Sequence, residues 1–283
     1  MGAGPALAVT GSTGALGGLV ARGLAVRGVP QRLLVRRPAA APSLDGAVVV
    51  PCSYGDREAA VAALDGVTTL LMVSASESAD RPDQHRSFVD AAAAAGVEQV
   101  VYTSFAGAAP DCTFTLGRDH WATEEHLRGS GMQHTFLRDN FYLDFLPLTV
   151  GEDGVIRGPA GDGRLSAVAR ADIAAVAVAV LTNPVAHAGT TYTLTGPEAF
   201  TLTEAAAVIA EQTGRAVSFH DETLEEAYGS RRRWEAPDWQ YDAWVSTYTA
   251  IKVGEVAAVT DDVRRVTGRV PRSLRELLAL DRS

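Results

Sequence analysis

The chain has 283 residues, of which 47% are hydrophobic and 21% charged, so it can bury a large core, and this composition argues against global disorder. Its formal net charge of -9 argues against a nucleic-acid partner, which would need a basic face. The two cysteines, Cys52 and Cys112, form neither a disulfide framework nor a CxxC motif, which predicts a reduced, cytoplasmic chain.

Short apolar runs alternate with helical patterns through the first half of the chain. The amino terminus has no basic stretch and leads into a glycine motif, so it predicts a strand rather than a signal peptide. The sequence contains no run of about 20 uncharged apolar residues, so it predicts no membrane span. The predicted strands cover residues 6–10, 31–37, 47–51, 69–74, 99–104 and 134–140, with helices at 16–26, 57–64, 83–95 and 121–128.

The texture of the sequence changes after about residue 150. The sequence predicts a glycine-rich loop at 151–163 and an apolar helix at 171–181 that packs back on the sheet. It then predicts a smaller mixed region with segments 191–194, 203–212 and 217–220. An amphipathic, aromatic-rich stretch at 225–250 is suited to a lid or pocket wall. The alternation predicts an α/β protein. We expect a Rossmann-type doubly wound parallel sheet in residues 1–150 and a smaller C-terminal α+β substrate lobe in residues 151–283.

The strongest local motif is the glycine turn Thr10-Gly-Ser-Thr-Gly-Ala-Leu-Gly17 after the first strand. Gly11 permits a tight turn, Gly14 lets backbone amides approach a diphosphate, and Gly17 allows the helix to lie close to the sheet. A diphosphate would then rest on free N–H groups at the helix N-terminus. The turn therefore predicts dinucleotide binding, with a merely structural turn as the alternative.

The end of the second predicted strand indicates which dinucleotide is bound. Proteins that bind NAD usually place an acidic residue there, about 20 residues past the glycines. This chain has Arg36, whose guanidinium could pair with a 2′-phosphate. The sequence favours NADPH, with NADH less favoured and a surface arginine as the alternative interpretation.

An ordered set of motifs resembles a known family. The segments are TGSTGALG, LLVRRP, SYGD, VSASES, QHRSFVDAAAAAGVEQVVYTS, FLRDNFY, VARADIA and DDVRRVTGRVPRSLREL. Together they resemble the NmrA-like branch of atypical short-chain dehydrogenases, and within it most of all the type 2 NAD(P)H:quinone oxidoreductases. The resemblance implies two lobes with an active cleft between them, and hydride transfer from NADPH to a quinone-like acceptor.

The resemblance also implies a set of cofactor contacts, most of which follow predicted strands. They are Gly11, Ser12, Thr13, Gly14, Ala15, Leu16, Arg36, Ser74, Ala75, Ser76, Asn140 and Arg170. Thr103 and Ser104, at the mouth of the fifth strand, could hydrogen-bond nicotinamide or substrate or could be satisfied strand-end groups. Phe105, Phe141 and Tyr142 are candidate pocket walls, with plain core positions as the alternative.

The catalytic pair of ordinary short-chain dehydrogenases is missing from its usual half of the chain. That pair is Tyr-x-x-x-Lys, whose lysine lowers the tyrosine pKa. Tyr248 and Lys252 have this spacing but lie far beyond the predicted sheet, so we interpret them as a coincidence. His120 is a candidate for touching ribose or substrate or for shuttling a proton, with a surface histidine as the alternative. Tyr142 is the other candidate catalytic residue.

Neither a metal site nor a catalytic role for His85 is expected. His120, Glu124 and His126 lack the spacing of a metal-binding H-E-x-x-H motif. His85 is expected to be a helix contact.

The sequence is compatible with three functions. The first is NADPH-dependent reduction of a quinone or similar conjugated carbonyl, which tolerates weak acid–base apparatus because the product is a stabilised phenolate. The second is a redox-sensing regulator that binds NADP(H) without turnover. The third is a tailoring reductase acting on a bulkier aromatic carbonyl substrate. The oligomeric state is open, with a homodimer as one option.

Overall fold

The computed structural model describes residues 4–280. Residues 1–3 and 281–283, the outer ends of the two predicted domains, lie outside the described residues. The chain divides into two compact units that alternate along the sequence. The first contains residues up to 105 together with 119–138 and 173–192, and the second contains 106–118, 139–172 and the residues from 193 onward. The predicted division near residue 150 stays a prediction.

The large sheet has seven strands, which are β1 (Leu7–Thr10), β2 (Gln31–Val35), β3 (Ala47–Pro51), β4 (Thr69–Met72), β5 (Gln99–Phe105), β6 (Gln133–Asp139) and β9 (Thr191–Leu194). Their order in the sheet is β3-β2-β1-β4-β5-β6-β9. The first five strands in this order form four parallel pairs, which confirms the predicted doubly wound α/β fold. The order reverses between β1 and β4, where a doubly wound sheet has its switch point.

Helices connect most of these strands and flank the sheet. They are α1 (Ala15–Val26), α2 (Arg57–Leu64), α3 (Arg81–Ala94), α4 (Thr115–Gly129) and α5 (Arg170–Thr182). The core cluster of the first unit is apolar and aromatic and includes the fully buried side chains of Phe88, Tyr102 and Phe136. Apolar side chains of α2, α3 and α4 complete it.

The second unit contains two small sheets and five helices among the described residues. β7 (Val155–Gly158) pairs in parallel with β11 (Ser218–Asp221), and β8 (Arg164–Leu165) pairs antiparallel with β10 (Phe200–Thr201). The helices are α6 (Leu202–Thr213), α7 (Leu224–Arg231), α8 (Asp238–Lys252), α9 (Asp262–Thr267) and α10 (Leu274–Leu280). No helix within residues 4–280 has the length and apolar content needed to cross a membrane.

Two predictions of local structure are wrong. Residues 191–194 do not join a smaller region but form the edge strand β9, because Thr190 and Leu194 accept backbone N–H bonds from Phe136 and Asn140. Residues 151–163 are not all loop, because β7 forms there against β11, a partner about 60 residues later in the chain. Both errors arise from pairings between distant segments, which a local pattern does not reveal.

Gly158, at the end of β7, lies directly under the ring of Tyr248 on α8. A Cβ at Gly158 would lie 2.1 Å from Cδ1 of that ring. The Arg231 guanidinium lies 5.1 Å from the centre of the same ring, and it also pairs with the buried Glu222 at 2.7 Å. Glycine at this position therefore lets α7 and α8 pack against β7.

Replacing Gly158 by alanine should destabilise the protein by about 1–3 kcal/mol or more, because the new methyl group overpacks the Tyr248 contact. Gly229→Ala is the matched control, since Gly229 lies within α7 and a Cβ there has nothing within 4 Å. That control should be neutral or stabilising by about 0.5–1 kcal/mol. Urea unfolding midpoints measure both effects, and equal midpoints for the two variants would contradict the packing argument.

Candidate functional site

The glycine turn is built by three glycines that each do something different. Gly11 adopts φ +65°, a left-handed conformation that turns the chain directly after β1. The Gly14 N–H donates to the Gly11 carbonyl at 2.9 Å, which closes the turn. A Cβ at Gly17 would lie 2.4 Å from the Gly11 carbonyl oxygen, so only glycine lets α1 start this close to the strand. The geometry agrees with the predicted roles of Gly11 and Gly17, whereas the approach of a diphosphate at Gly14 stays a prediction.

The N-terminus of α1 is open at this turn. Gly14 is the N-cap residue, no side chain caps the helix, and the first turn has no acidic residue. Thr13, Gly14 and Ala15 are exposed, while Ser12 is buried with a hydroxyl oxygen that has no partner among the described residues. Uncapped N–H groups and the helix dipole make such an end favourable for an anion.

Arg36 follows β2 and is exposed. Its guanidinium forms no ion pair with the acidic side chains of residues 4–280. Burial raises the pKa of the Tyr54 hydroxyl, and the positive charge of Arg36 opposes this rise. Tyr54 itself bonds to Thr10 and to the Val73 carbonyl, at 2.6 Å each, and so links the ends of β1, β3 and β4. The arginine is therefore available for a ligand at the edge of the sheet where β1 and β2 end.

The loop after β4 contains the predicted residues Ser74, Ala75 and Ser76. Thr10 Oγ1 accepts the Val73 N–H at 2.8 Å, and Thr103 Oγ1 accepts the Ser74 N–H at 2.9 Å. Thr103 is buried, and its hydroxyl holds this loop from the neighbouring strand β5. Its predicted contact with nicotinamide or substrate stays a prediction.

Ser104, the neighbour of Thr103, points its hydroxyl at a buried carboxylate. Its Oγ donates to Glu124 Oε1 at 2.6 Å. Glu124 is fully buried and also accepts two bonds from Arg138, at 2.8 and 2.7 Å, and one from Arg128 at 3.1 Å. Because the Ser104 proton is directed at Glu124, its oxygen can still accept a hydrogen bond but cannot donate a second one.

His120 on α4 is hydrogen-bonded through both ring nitrogens. Nε2 lies 2.9 Å from an Arg81 nitrogen, and Nδ1 lies 3.0 Å from the Tyr102 hydroxyl. Burial, and then the charge of Arg81, lower the pKa of His120 well below its ordinary value. The ring is therefore neutral near pH 7, which favours a hydrogen-bonding role over proton shuttling. The ring of Phe105 lies 6.3 Å from it in the same unit.

The predicted residues Asn140, Phe141 and Tyr142 belong to the second unit. The Asn140 side chain donates to Ser166 Oγ at 2.8 Å and to the Val256 carbonyl at 3.0 Å, and it accepts the Phe141 N–H at 2.7 Å. Both ends of this amide are thus used within the unit, and its predicted cofactor contact stays a prediction. The ring of Phe141 packs edge-on against Phe114 at 5.2 Å.

Arg170 and Tyr142 both contact the ring of Phe145, an exposed phenylalanine. The Arg170 guanidinium lies 5.2 Å from the centre of the Phe145 ring, and Tyr142 stacks on that ring at 6.0 Å. Arg170 also pairs with Asp144 through Nε at 3.2 Å and through its backbone N–H at 2.9 Å. The arginine is therefore held by an ion pair and a ring contact, and its role toward a cofactor stays a prediction.

Tyr248 and Lys252 do not form the pair that a short-chain dehydrogenase uses. Burial raises the pKa of the Tyr248 hydroxyl, whereas a catalytic tyrosine needs a lowered pKa. Lys252 is exposed at the end of α8. This agrees with the interpretation of the spacing as a coincidence.

Asp139, the last residue of β6, is not among the residues predicted for the site. It is 3% exposed, and neither carboxylate oxygen has a hydrogen-bond partner within residues 4–280. Its backbone carbonyl accepts the N–H of Ala106, which follows β5. Burial raises the pKa of the carboxyl group well above its ordinary value, so Asp139 is favoured as a neutral acid. An acidic residue ending an apolar strand was the available signal.

Replacing Asp139 by asparagine should raise the melting temperature at neutral pH. Because the folded protein holds this proton more tightly than the unfolded chain, stability falls as the pH rises from about 4 through the folded-state pKa. Asparagine does not ionise, so the gain should grow from near zero at pH 4 to about 2–4 °C or more at pH 7.

Asp153→Asn is the control for this measurement. Asp153 is exposed in the same unit, and hydrogen bonding from Arg157 lowers its pKa. Its replacement should give no gain at neutral pH, because the lowered pKa has the opposite linkage. A melting-temperature difference for Asp139→Asn that does not change between pH 4 and 7 would show that Asp139 ionises normally.

The chain is similar to known oxidoreductases over most of its length. Residues 11–184, more than half of the chain, match the model of the NAD(P)H-binding family. Quinone oxidoreductase 2 of Escherichia coli is 40% identical over 224 residues, which cover 76% of this chain and 77% of that protein. An NAD(P)H azoreductase of Xenophilus azovorans is 33% identical over 273 residues, 95% of each chain.

A solved structure gives the same result for the fold. The NADPH complex of an NADPH-dependent quinone oxidoreductase from Escherichia coli superposes with a TM-score of 0.89 and 32% identity, over 98% of this chain and 100% of that one. The predicted family resemblance is thereby confirmed. The chain belongs to the NAD(P)H-binding family.

Proposed function

We propose that this protein is an NADPH-dependent oxidoreductase that reduces a quinone or a similar conjugated carbonyl compound. The observation that carries the proposal is the open N-terminus of α1 behind a turn that only glycines can form. The two relatives reported above are named as a quinone oxidoreductase and an azoreductase, which supports turnover over sensing. A cytoplasmic location and a homodimer stay predictions.

The glycine turn fits a dinucleotide in two respects. A Cβ at Gly14 would lie 3.3 Å from the Gly11 carbonyl oxygen and would stand where a diphosphate has to approach the backbone. The buried Ser12 hydroxyl beside it has no partner among residues 4–280. We assign the diphosphate to the N–H groups of residues 12, 13, 15 and 16 and to this hydroxyl, because the Gly14 N–H is already bonded to the Gly11 carbonyl.

The choice of NADPH over NADH rests on Arg36. An exposed guanidinium without an ion pair to residues 4–280 can form two parallel hydrogen bonds to a 2′-phosphate. An acidic residue, which would bind the ribose hydroxyls of NADH, does not occupy this position.

When bound, NADPH supplies a hydride from C4 of its nicotinamide ring. The chain's own residues then have to bind both partners, exclude water and stabilise the product. A quinone makes a small demand on acid–base chemistry because its reduced product is a stabilised phenolate. Ser104, whose proton is directed at Glu124, can act only as a hydrogen-bond acceptor, and the neutral His120 can orient groups without changing charge. This apparatus suits an electrophilic acceptor better than an ordinary ketone.

The purified protein should oxidise NADPH in the presence of simple quinones. The measurement follows absorbance of the reduced nicotinamide across a panel of benzoquinones and naphthoquinones. Tight NADPH binding with no oxidation of the cofactor by any quinone would contradict the proposed reductase activity. That result would favour a regulator that binds NADP(H) without turnover.

Arg36→Glu should raise the KM for NADPH by about 10- to 100-fold, the effect of losing a charge-assisted hydrogen-bonded pair and adding repulsion. The KM for NADH should change little, because that cofactor has no 2′-phosphate. Arg37→Glu is the matched control, since Arg37 is the adjacent exposed arginine. An unchanged preference for NADPH in Arg36→Glu would show that another residue binds the phosphate.

A further inference from the structure

The loop that follows β4 is fixed by side chains from several elements rather than by secondary structure. Three consecutive backbone N–H groups, of Val73, Ser74 and Ala75, each donate to a different side chain. The acceptors for Val73 and Ser74 are hydroxyl groups of Thr10 and Thr103 on the flanking strands. The acceptor for Ala75 is Nε2 of His85 on α3, at 2.9 Å.

The hydrogen bonds around His85 determine which nitrogen carries its proton. Thr123 Oγ1 donates its hydrogen to the Asp119 carbonyl at 2.7 Å, so toward His85 it can only accept. His85 Nδ1, 2.8 Å from that oxygen, must therefore carry the proton and donate it. Nε2 is then left with a lone pair directed at the Ala75 N–H. The contacts thus specify the neutral Nδ1–H tautomer.

Arg81, one turn earlier on α3, holds the other side of the same residue. Its Nε donates to the Ala75 carbonyl at 3.0 Å, and its remaining nitrogens bind Asp119 at 3.0 Å and His120 at 2.9 Å. The arginine side chain is 3% exposed. Both the donor and the acceptor of Ala75 are therefore bonded to buried side chains of one helix, which leaves this residue little freedom to move.

We propose that His85, together with Arg81, is a positioning residue that fixes the Ala75 backbone in the conformation that binds NADPH. The proposal rests on the function proposed above, because it takes residues 74–76 as part of the cofactor site. Neither side chain has to touch the cofactor. They order the loop before NADPH binds, so that less conformational freedom is lost on binding.

The surroundings of His85 keep it in the required form. The groups around it are Arg81 on its own helix, with Asp119 bound to that arginine, Thr123 and His120 on α4, and the rings of Tyr54 and Tyr102, whose centres lie 6.1 and 5.9 Å from that of His85. Burial, and then the charge of Arg81, lower the pKa of His85 to about 3. The affinity for NADPH should therefore not depend on titration of His85 between pH 5 and 8.

Two variants of His85 test the proposal. His85→Leu removes the acceptor and leaves the Ala75 N–H without one, whereas His85→Gln replaces it with an amide oxygen of similar reach. His85→Leu should raise the Kd for NADPH by about tenfold, the effect of an unsatisfied buried donor. His85→Gln should restore most of the affinity, and kcat with a quinone should change less than the Kd in both. His126→Leu, at a more exposed histidine on α4, is the control and should bind NADPH like wild type.

Amide hydrogen exchange at Ala75 in the cofactor-free protein is the second readout, and it does not require that the protein be an enzyme. Exchange should be faster in His85→Leu than in wild type and His85→Gln. If His85→Leu does not fold, Thr123→Val serves in its place, because it removes the acceptor of the Nδ1 proton. Unchanged exchange at Ala75 overturns the proposal, and so does faster exchange with an unchanged Kd for NADPH. Absence of quinone turnover in wild type, with both effects present, overturns only the proposed reaction.

Discussion

The first helix can begin where it does only because the backbone of Gly17 lies against the carbonyl groups of Thr10 and Gly11. A Cβ at Gly17 would lie 2.8 and 2.4 Å from those two oxygens. A side chain there would push α1 away from the sheet, and the N–H groups at its start would no longer face the turn. The binding of a diphosphate, and with it every later step of the proposed chemistry, depends on this close approach.

Around this contact, the polar groups at the ends of the neighbouring strands are hydrogen-bonded within the protein. Thr10 and Tyr54 bind the Val73 backbone, Thr103 binds Ser74, and Ser104 binds Glu124. Buried polar groups with satisfied hydrogen bonds form a rigid scaffold, whereas unsatisfied ones would cost about 1–3 kcal/mol each. Ser12 and Asp139 are among the residues whose buried side-chain oxygens have no partner within residues 4–280. The first fits the proposed diphosphate site, and the second favours a neutral acid at the end of β6.

Much of the fold follows from local patterns in the sequence. The short apolar runs and the glycine turn predict β1 to β6 because buried parallel strands and the phosphate-binding turn each leave a local signature. β7 and β9 were missed or misplaced because their partners are distant in the chain, and a four-residue run does not reveal its partner.

The site was predictable to the extent that it consists of backbone turns and strand ends. Gly11, Gly14, Gly17 and Arg36 are visible as motif positions in the sequence. The roles of Arg81 and His85 were not, because they depend on which loop their helix faces after folding. The same holds for Ser104, whose proton direction is set by Glu124 from another helix. Sequence therefore predicts positions with special backbone geometry better than side chains whose hydrogen-bond partners are set by folding.

The most direct test of the account is a calorimetric titration of the purified wild-type chain with NADPH, NADP+ and NADH. The account predicts saturable binding of both phosphorylated dinucleotides and weaker binding of NADH, because the glycine turn holds the diphosphate in all three and Arg36 adds a contact only to the 2′-phosphate. No measurable heat with either phosphorylated form would contradict it.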